Sequence, residues 1–201
     1  MADVKLTIIY YSSTGTVHGM AERLRDAGQK AGAEVRLRQV PELAPKEAIA
    51  SNAAWSQHFD RTKDEPKATA DDVVWADAVL IGTPTRYGNV SSQLKQFIDT
   101  LGPQWGQGLL ANKAYAGFTA SMTEHGGQES TLLALYNTIY HFGGVVVAPG
   151  YTDPLKFADG NPYGVSHVTG GGNDTPLGDA QLAALDHLAT RIVTIAGKLR
   201  A

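Results

Sequence analysis

"KLTIIYYSSTGTVHGMAERLRDAG", residues 5–28, changes its periodicity half-way along. Lys5 to Tyr11 is a β-branched and aromatic run, suited to a strand buried on both faces. From Val17 the apolar positions fall at Met20, Ala21, Leu24 and Ala27, a helical spacing that predicts a helix ending near Gly32. Between the two lie Ser12, Ser13, Thr14, Gly15 and Thr16, all small and uncharged. A loop joining a strand's carboxyl end to a helix's amino end presents unpaired backbone N–H groups and the positive end of the helix dipole, so it favours an anion. The hydroxyls add donors, and Gly15 lets the backbone fold closely around a phosphate. The loop lacks the lysine of a triphosphate-binding GxxxxGK[ST] and the spacing of a dinucleotide-binding GxGxxG. A terminal phosphate monoester is therefore the expected ligand. Ordinary helix capping by serine and threonine accounts for the same residues, and the loop alone does not separate the two readings.

Working outward, strand-length runs alternate with helical ones. "EVRLRQV", residues 34–40, alternates with period two and stops at Pro41, as a strand near a sheet edge would. Residues 42–67 are mixed and read as an excursion, since Trp55 and Phe59 call for burial. Thr69 is a candidate N-cap. "AVLIGTP" (78–84) and "KAYAGFTAS" (113–121) predict a third and a fourth strand, and "VVVAP" (145–149) a fifth. Helical segments fall between them: Val90, Leu94, Phe97, Ile98 and Leu101 share one face, and "STLLALYNTIYHFG" (130–143) forms another helix. This alternation implies a parallel sheet with right-handed crossovers and helices on both faces, with ligands beyond the carboxyl ends of the strands. Gly150 to Gly178 is too rich in glycine and proline for a regular element. An amphipathic helix from about Asp179 closes what reads as a single domain, residues 1–201, with an excursion at about 150–178.

Composition narrows the function. The net charge of −3 provides no basic footprint, so nucleic acid is not an expected partner. No run of about 18 apolar residues occurs, so no membrane span is expected, and the chain reads as cytoplasmic. There is no cysteine, which removes disulfides, thiolate metal sites and thiol redox chemistry. Any electron transfer must then use a borrowed cofactor. The histidines show neither HExxH nor another paired ligand spacing, so no metal is expected.

Two further loops follow strands. "GTPTRYGNV", residues 82–90, supplies Pro84, Thr85, Arg86, Tyr87, Gly88 and Asn89, a mixture of donors and a flat ring that suits a planar polar heterocycle. A plain strand-to-helix turn with Asn89 as N-cap competes with that reading. "SMTEHGGQE", residues 121–129, contributes Ser121, Met122, Thr123, Glu124, His125 and Gly126, with paired glycines that leave amides accessible. The topology brings all three loops to one crevice.

Over nearly its whole length the sequence resembles the flavodoxin-like NAD(P)H:quinone oxidoreductases of the tryptophan-repressor-binding-protein (WrbA) type. The matching pieces are "YYSSTGT…MA", "GTPTRYGN", "Q…FIDTLG..W..G.L..K", "GGQE", "GGVVVAPGY" and "GNPYG…GG". "GTPTRYGN" together with "GNPYG" is the specific part. The resemblance implies a flavodoxin-like three-layer α/β sandwich with a five-stranded parallel sheet in the order 2-1-3-4-5. It implies FMN as cofactor, NADH or NADPH as hydride donor, ping-pong two-electron reduction of a quinone, and a homotetramer. Carried over residue by residue, Ser12 to Val17 hold the phosphate, and Pro84 to Asn89 and Ser121 to Gly126 line the isoalloxazine. His141 reaches the flavin from a neighbouring subunit. Thr14 stands where family members often carry an aromatic residue, and "MTEH" replaces a more glycine-rich loop.

Two side chains are candidates for the chemistry. Arg86 would stabilise negative charge developing on reduced flavin or quinone oxygen, with a surface salt bridge as the alternative. Trp105, in "GPQWGQG", has neighbours too small to bury it and would wall the substrate pocket, or else pack in the core. Tyr87 would stack on the ring or pack in its loop, and His141 could equally cap its helix. Single-electron carriage to a protein partner, or a regulatory role without catalysis, are the rival functions. A carrier profits from a strongly charged docking face, which −3 over 201 residues does not supply.

Overall fold

The computed structural model describes residues 4–200. Strand β1 (Lys5–Tyr10) lies between β2 (Glu34–Gln39) and β3 (Ala78–Pro84), followed by β4 (Ala114–Ser121) and β5 (Val145–Val146), all parallel in the order 2-1-3-4-5. The central strands β3 and β4 are buried except for Pro84 at the crevice end of β3, because both of their faces are covered by helices. On one face α1 (Thr16–Lys30) and α9 (Asp179–Leu199) pack Met20, Leu24, Leu185, Leu188 and Ile192 against Leu6, Ile8 and Leu80. On the other, α4 (Ala70–Trp75), α5 (Ser92–Asp99) and α7 (Gln128–Phe142) pack Val73, Leu94, Phe97, Leu132 and Ile139 against Ile9, Val79 and Tyr115. Helix α1 ends at Lys30, with Gly32 at φ 85° just beyond it, and Thr69 caps α4 through a box with Asp72.

Three features differ from the expectations. A sixth strand, β6 (Val165–Val168), pairs with the second half of β4, beyond the two-residue β5 on the same edge. The fifth strand position is thus occupied by two short pieces, because Pro149 and Gly150 turn the chain away and it returns only at Val165. The Gly150–Gly178 stretch therefore holds β6 and a short helix, α8 (Leu155–Asp159), where no regular element was expected. The N-cap of α5 is Ser91, whose Oγ accepts from the Leu94 amide, and not Asn89, which is spent in a turn with Arg86. The 42–67 excursion folds into α2 (Lys46–Ala50) and α3 (Ala53–Thr62), and α6 (Gly102–Gly106) carries Trp105. Among the described residues no helix is long and apolar enough to cross a membrane.

The chain between β5 and β6 is organised around a buried charge. Lys156 and Asp159 form an ion pair whose side chains are fully buried. The Lys156 ammonium also donates to the Gly164 carbonyl (3.1 Å), and the Asp159 carboxylate accepts from the Asn161 amide. Burial raises the Asp159 pKa, with the Lys156 hydrogen bond and charge opposing it. Asn161 then fixes Ser166 and Tyr163. Polar anchoring of this kind lets a glycine-rich segment keep one shape with little apolar burial of its own.

Candidate active site

The carboxyl ends of β1, β3 and β4 open into a crevice of about 700 Å³. Ser12, Ser13, Thr14, Thr16 and Val17 line one side; Pro84, Thr85, Arg86 and Tyr87 line a second; Ser121, Met122, Thr123 and Gly126 line a third. Gly15, Gly88 and Asn89 belong to the same loops without facing it. Thr16, Thr85 and Gly126 share one rim although they are far apart in sequence.

The first loop suits an anion. Gly15 precedes α1 with φ 108°, a conformation that glycine adopts without strain, and no side chain caps the helix. The Gly15 amide itself is taken by Ser12 Oγ at 3.1 Å. The first-turn amides from Thr16 onward and the neighbouring hydroxyls are what remain for a phosphate. No acidic residue occupies that first turn.

The second loop is a tight turn. Arg86 and Asn89 exchange backbone hydrogen bonds of 2.8 and 3.0 Å, with Tyr87 at φ 54° and Gly88 at φ 76°. That pair of left-handed residues leaves the Tyr87 ring fully exposed, at 102% of its reference area. Arg86 turns to two neutral oxygens, Thr85 O at 3.0 Å and Ser13 Oγ at 3.5 Å, so it reaches across to the first loop and forms no surface salt bridge. The third loop packs on the second through Gly127, φ 90°, where a Cβ would lie 2.9 Å from Gly88 Cα. Thr85 Oγ1 joins the same contact, accepting from Thr131 Oγ1 (2.7 Å) and from the Gly88 amide (3.2 Å).

A fourth wall, formed by Thr169, Gly171, Gly172 and Asn173, comes from the chain after β6, and Asn52 adds an edge. None of these residues was singled out from the sequence, although the glycine run and the length of the stretch mark it as a loop with a job. Thr169 is anchored to β4 by its amide on Ser121 O at 2.8 Å, and Asn173 Nδ2 donates to Thr14 Oγ1 at 2.5 Å across the mouth. Thr14 thus serves as a hydrogen-bond partner for this wall.

Glu124, His125 and Trp105 lie away from the crevice, and so does His141, which the resemblance assigns to a neighbouring subunit's flavin. Glu124 faces a different cavity and His125 is exposed to solvent. Trp105 is 54% exposed, and its Nε1 donates to the His141 carbonyl at 2.7 Å. These two residues share a shallow groove of about 260 Å³ with Ile98, Leu101 and Phe142, apart from the crevice of their own chain. Trp105 therefore neither walls that crevice nor packs in the core. Among the described residues no cluster of metal-ligating side chains occurs.

Behind the first loop, next to Gly15, lies a buried histidine that the sequence does not signal. The His58 ring is 1% exposed, and burial, with the positive charges of His18, Arg61 and Lys67, brings its pKa down to about 4 from 6.5. Between those values the unfolded chain binds a proton that the folded chain does not, so stability should fall as the pH drops through this window. Denaturant midpoints measured from about pH 7 to about pH 4 should show the native chain losing about 2–3 kcal/mol more than a His58→Phe variant. Parallel pH profiles for the two would disprove the assignment.

Residues 4–153 match the family described as NADPH-dependent FMN reductase. A protein of Deinococcus radiodurans named NAD(P)H dehydrogenase (quinone) is 46% identical over 199 residues, covering 98% of both chains. One of the same name from Sinorhizobium fredii is 38% identical, covering 97% of this chain and 98% of that protein. Among solved structures, a WrbA-like flavodoxin from Agrobacterium tumefaciens aligns over 98% of this chain and 99% of its own, with a TM-score of 0.68 at 21% identity. Flavodoxin 1 of Bacillus cereus aligns with a TM-score of 0.62 at 14% identity, over 94% and 97%. At those identities the structures speak to the fold alone.

Proposed function

Because the chain belongs to the NADPH-dependent FMN reductase family, we propose that it is an FMN-dependent NAD(P)H:quinone oxidoreductase. The observation that carries this reading is the meeting of three uncharged, donor-rich loops in one crevice of about 700 Å³. Their chemistry fits FMN: an uncapped helix terminus for the phosphate, and a rim of hydroxyls, amides and an arginine for a planar polar ring. When bound, FMN supplies the two-electron relay between nicotinamide and quinone.

The chain's own contribution is binding and orientation. Thr16, Val17 and the hydroxyls of Ser12 to Thr14 hold the phosphate, while Pro84 to Tyr87, Ser121 to Thr123 and Gly126 hold the ring. Arg86, free of any carboxylate partner and tethered only to neutral oxygens, stabilises negative charge on the ring or the quinone oxygen. Pockets of about 300–1,000 Å³ each hold one drug-sized ligand. A crevice of this size, once filled by a mononucleotide, takes one further ring at a time, which supports alternating occupancy by donor and quinone. Absorption spectra of the purified protein before and after anaerobic addition of NADH and of NADPH test the reading. Visible flavin bands that bleach, then return with a quinone, are expected. A flavin left oxidised by both donors would fit a single-electron carrier instead, and a chain without flavin that cannot be reconstituted with FMN would remove the enzyme altogether.

We further propose a homotetramer in which Trp105 and His141 complete the site of a neighbouring copy. Their shared, exposed surface, away from the crevice of their own chain, supports this reading. Light scattering at micromolar concentration should give about four times the 21.4 kDa of the chain. A monomer would overturn the assembly without touching the FMN reading.

A further inference from the structure

Apart from Asn52, the 42–67 excursion contributes nothing to the crevice, yet it encloses a separate cavity of about 230 Å³ that shares only Ser12 with it. The walls are largely aromatic and aliphatic: Tyr11, Val40, Pro41, Trp55 and Phe59. The polar groups around it are almost all committed. Glu42 Oε2 accepts from Tyr11 OH (2.8 Å) and Trp55 Nε1 (2.9 Å), while its Oε1 accepts from the Leu43 and Ala44 amides and Gln93 Nε2. Lys67 Nζ donates to Gln39 Oε1 and Thr62 O. His58 is the exception. Its ring lines the cavity, and its buried Nε2 has no partner. Arg61 Nη2 lies 3.4 Å from His58 Nδ1. A guanidinium can only donate, so Nδ1 accepts and the ring proton sits on Nε2. The wall of the cavity therefore holds one buried, unused N–H donor and flat apolar surfaces, with the exposed Lys63, ion-paired to Asp60 at 3.8 Å, among its lining residues.

A buried donor without a partner is costly, and the pairing that relieves it must bring an acceptor. Lys63 pairs with Asp60, and Lys67 is committed to Gln39 and Thr62, while the lining carboxylate, Glu42, is saturated with donors. The wall thus has no spare acceptor for a positive group, and a carboxylate acceptor fits the unused donor better. The volume admits one small ring and excludes a nucleotide. We propose that this cavity binds a monocyclic aromatic carboxylate, its ring against the aromatic walls and a carboxylate oxygen accepting from His58 Nε2. The site adjoins the flavin crevice through Ser12 but does not rest on the activity proposed for that crevice.

The test titrates benzoate into the FMN-loaded protein by calorimetry, with tryptophan fluorescence and quinone competition as further readouts. One benzoate per chain is expected, with Trp55 emission altered and no competition with quinone. His58→Leu should weaken binding at least tenfold by removing the donor. Phe59→Trp should do the same by filling the space while leaving His58 in place, so one misfolded variant does not decide the matter. Benzylamine, with the same ring and the opposite charge, should not bind. The proposal is overturned if the native protein takes up no benzoate, which would leave water as the partner of His58. Competition of benzoate with quinone, equal binding of benzylamine, or native affinity in both folded variants would overturn it as well.

Discussion

Replacing Gly127 with valine is expected to weaken FMN binding by about thirtyfold or more while the sheet and its far-face helices stay folded. Gly127 has φ 90°, which a β-branched residue adopts only under strain of about 1–3 kcal/mol. A Cβ there would also lie 2.9 Å from Gly88 Cα, 3.2 Å from Gly88 N and 3.1 Å from Ser130 Oγ. Two of those atoms are backbone and cannot swing aside, so the β3–α5 and β4–α7 loops must separate. Overpacking adds about 1–3 kcal/mol. Both loops line the crevice, so part of the combined cost falls on ligand binding, and about 2 kcal/mol corresponds to roughly thirtyfold. Titration of the apo chain with FMN, followed by flavin fluorescence, measures the effect, and far-UV circular dichroism reports whether the fold survives. A dissociation constant within about threefold of the native value would show that the packing of these loops does not shape the site.

Lys156→Ala is expected to be the most destabilising single change outside the apolar core. It leaves Asp159 buried without its cation, in a place where Asp159 Oδ1 already lacks a partner, and it strips the Gly164 carbonyl of its donor. Breaking a buried pair in this way typically costs about 3–5 kcal/mol. For a chain of this length that is a fall in Tm of roughly 10 °C. The loss should be felt at the crevice too, since α8 and β6 lead directly into Thr169–Asn173. The double variant Lys156→Met with Asp159→Leu should recover most of the loss, because it removes the desolvated charges together. A shift of less than about 2 °C in the single variant would mean that the pair is solvated and does not organise this stretch.

The sheet was legible because its signals are local and repeated. Each central strand is a continuous apolar run bounded by a polar loop, and each covering helix shows its buried stripe at Leu24, Leu94 or Leu188. The three crevice loops were legible for the same reason, as they sit where strand period gives way to helix period. β6 was missed because "VSHV" is too short to display a period and lies among glycines and prolines. By residue type Asn89 and Ser91 are equally good caps, and only the backbone pairing of Arg86 with Asn89 decides between them.

From the order of its residues alone, this protein is committed to a parallel α/β sheet with an anion-ready turn after the first strand and donor-rich turns after the third and fourth. Those features follow from spacing, helix termini and side-chain chemistry, which act between neighbours in the chain. What only the folded molecule decided is long-range: Asn173 meeting Thr14 across 159 residues, Gly127 seated on Gly88, His58 sealed behind the first loop without a partner for one nitrogen, and Trp105 and His141 joined on an outer face. Each depends on how elements far apart in sequence pack in space, a matter settled by the summed burial of the core and by the few buried charges that tolerate a single arrangement.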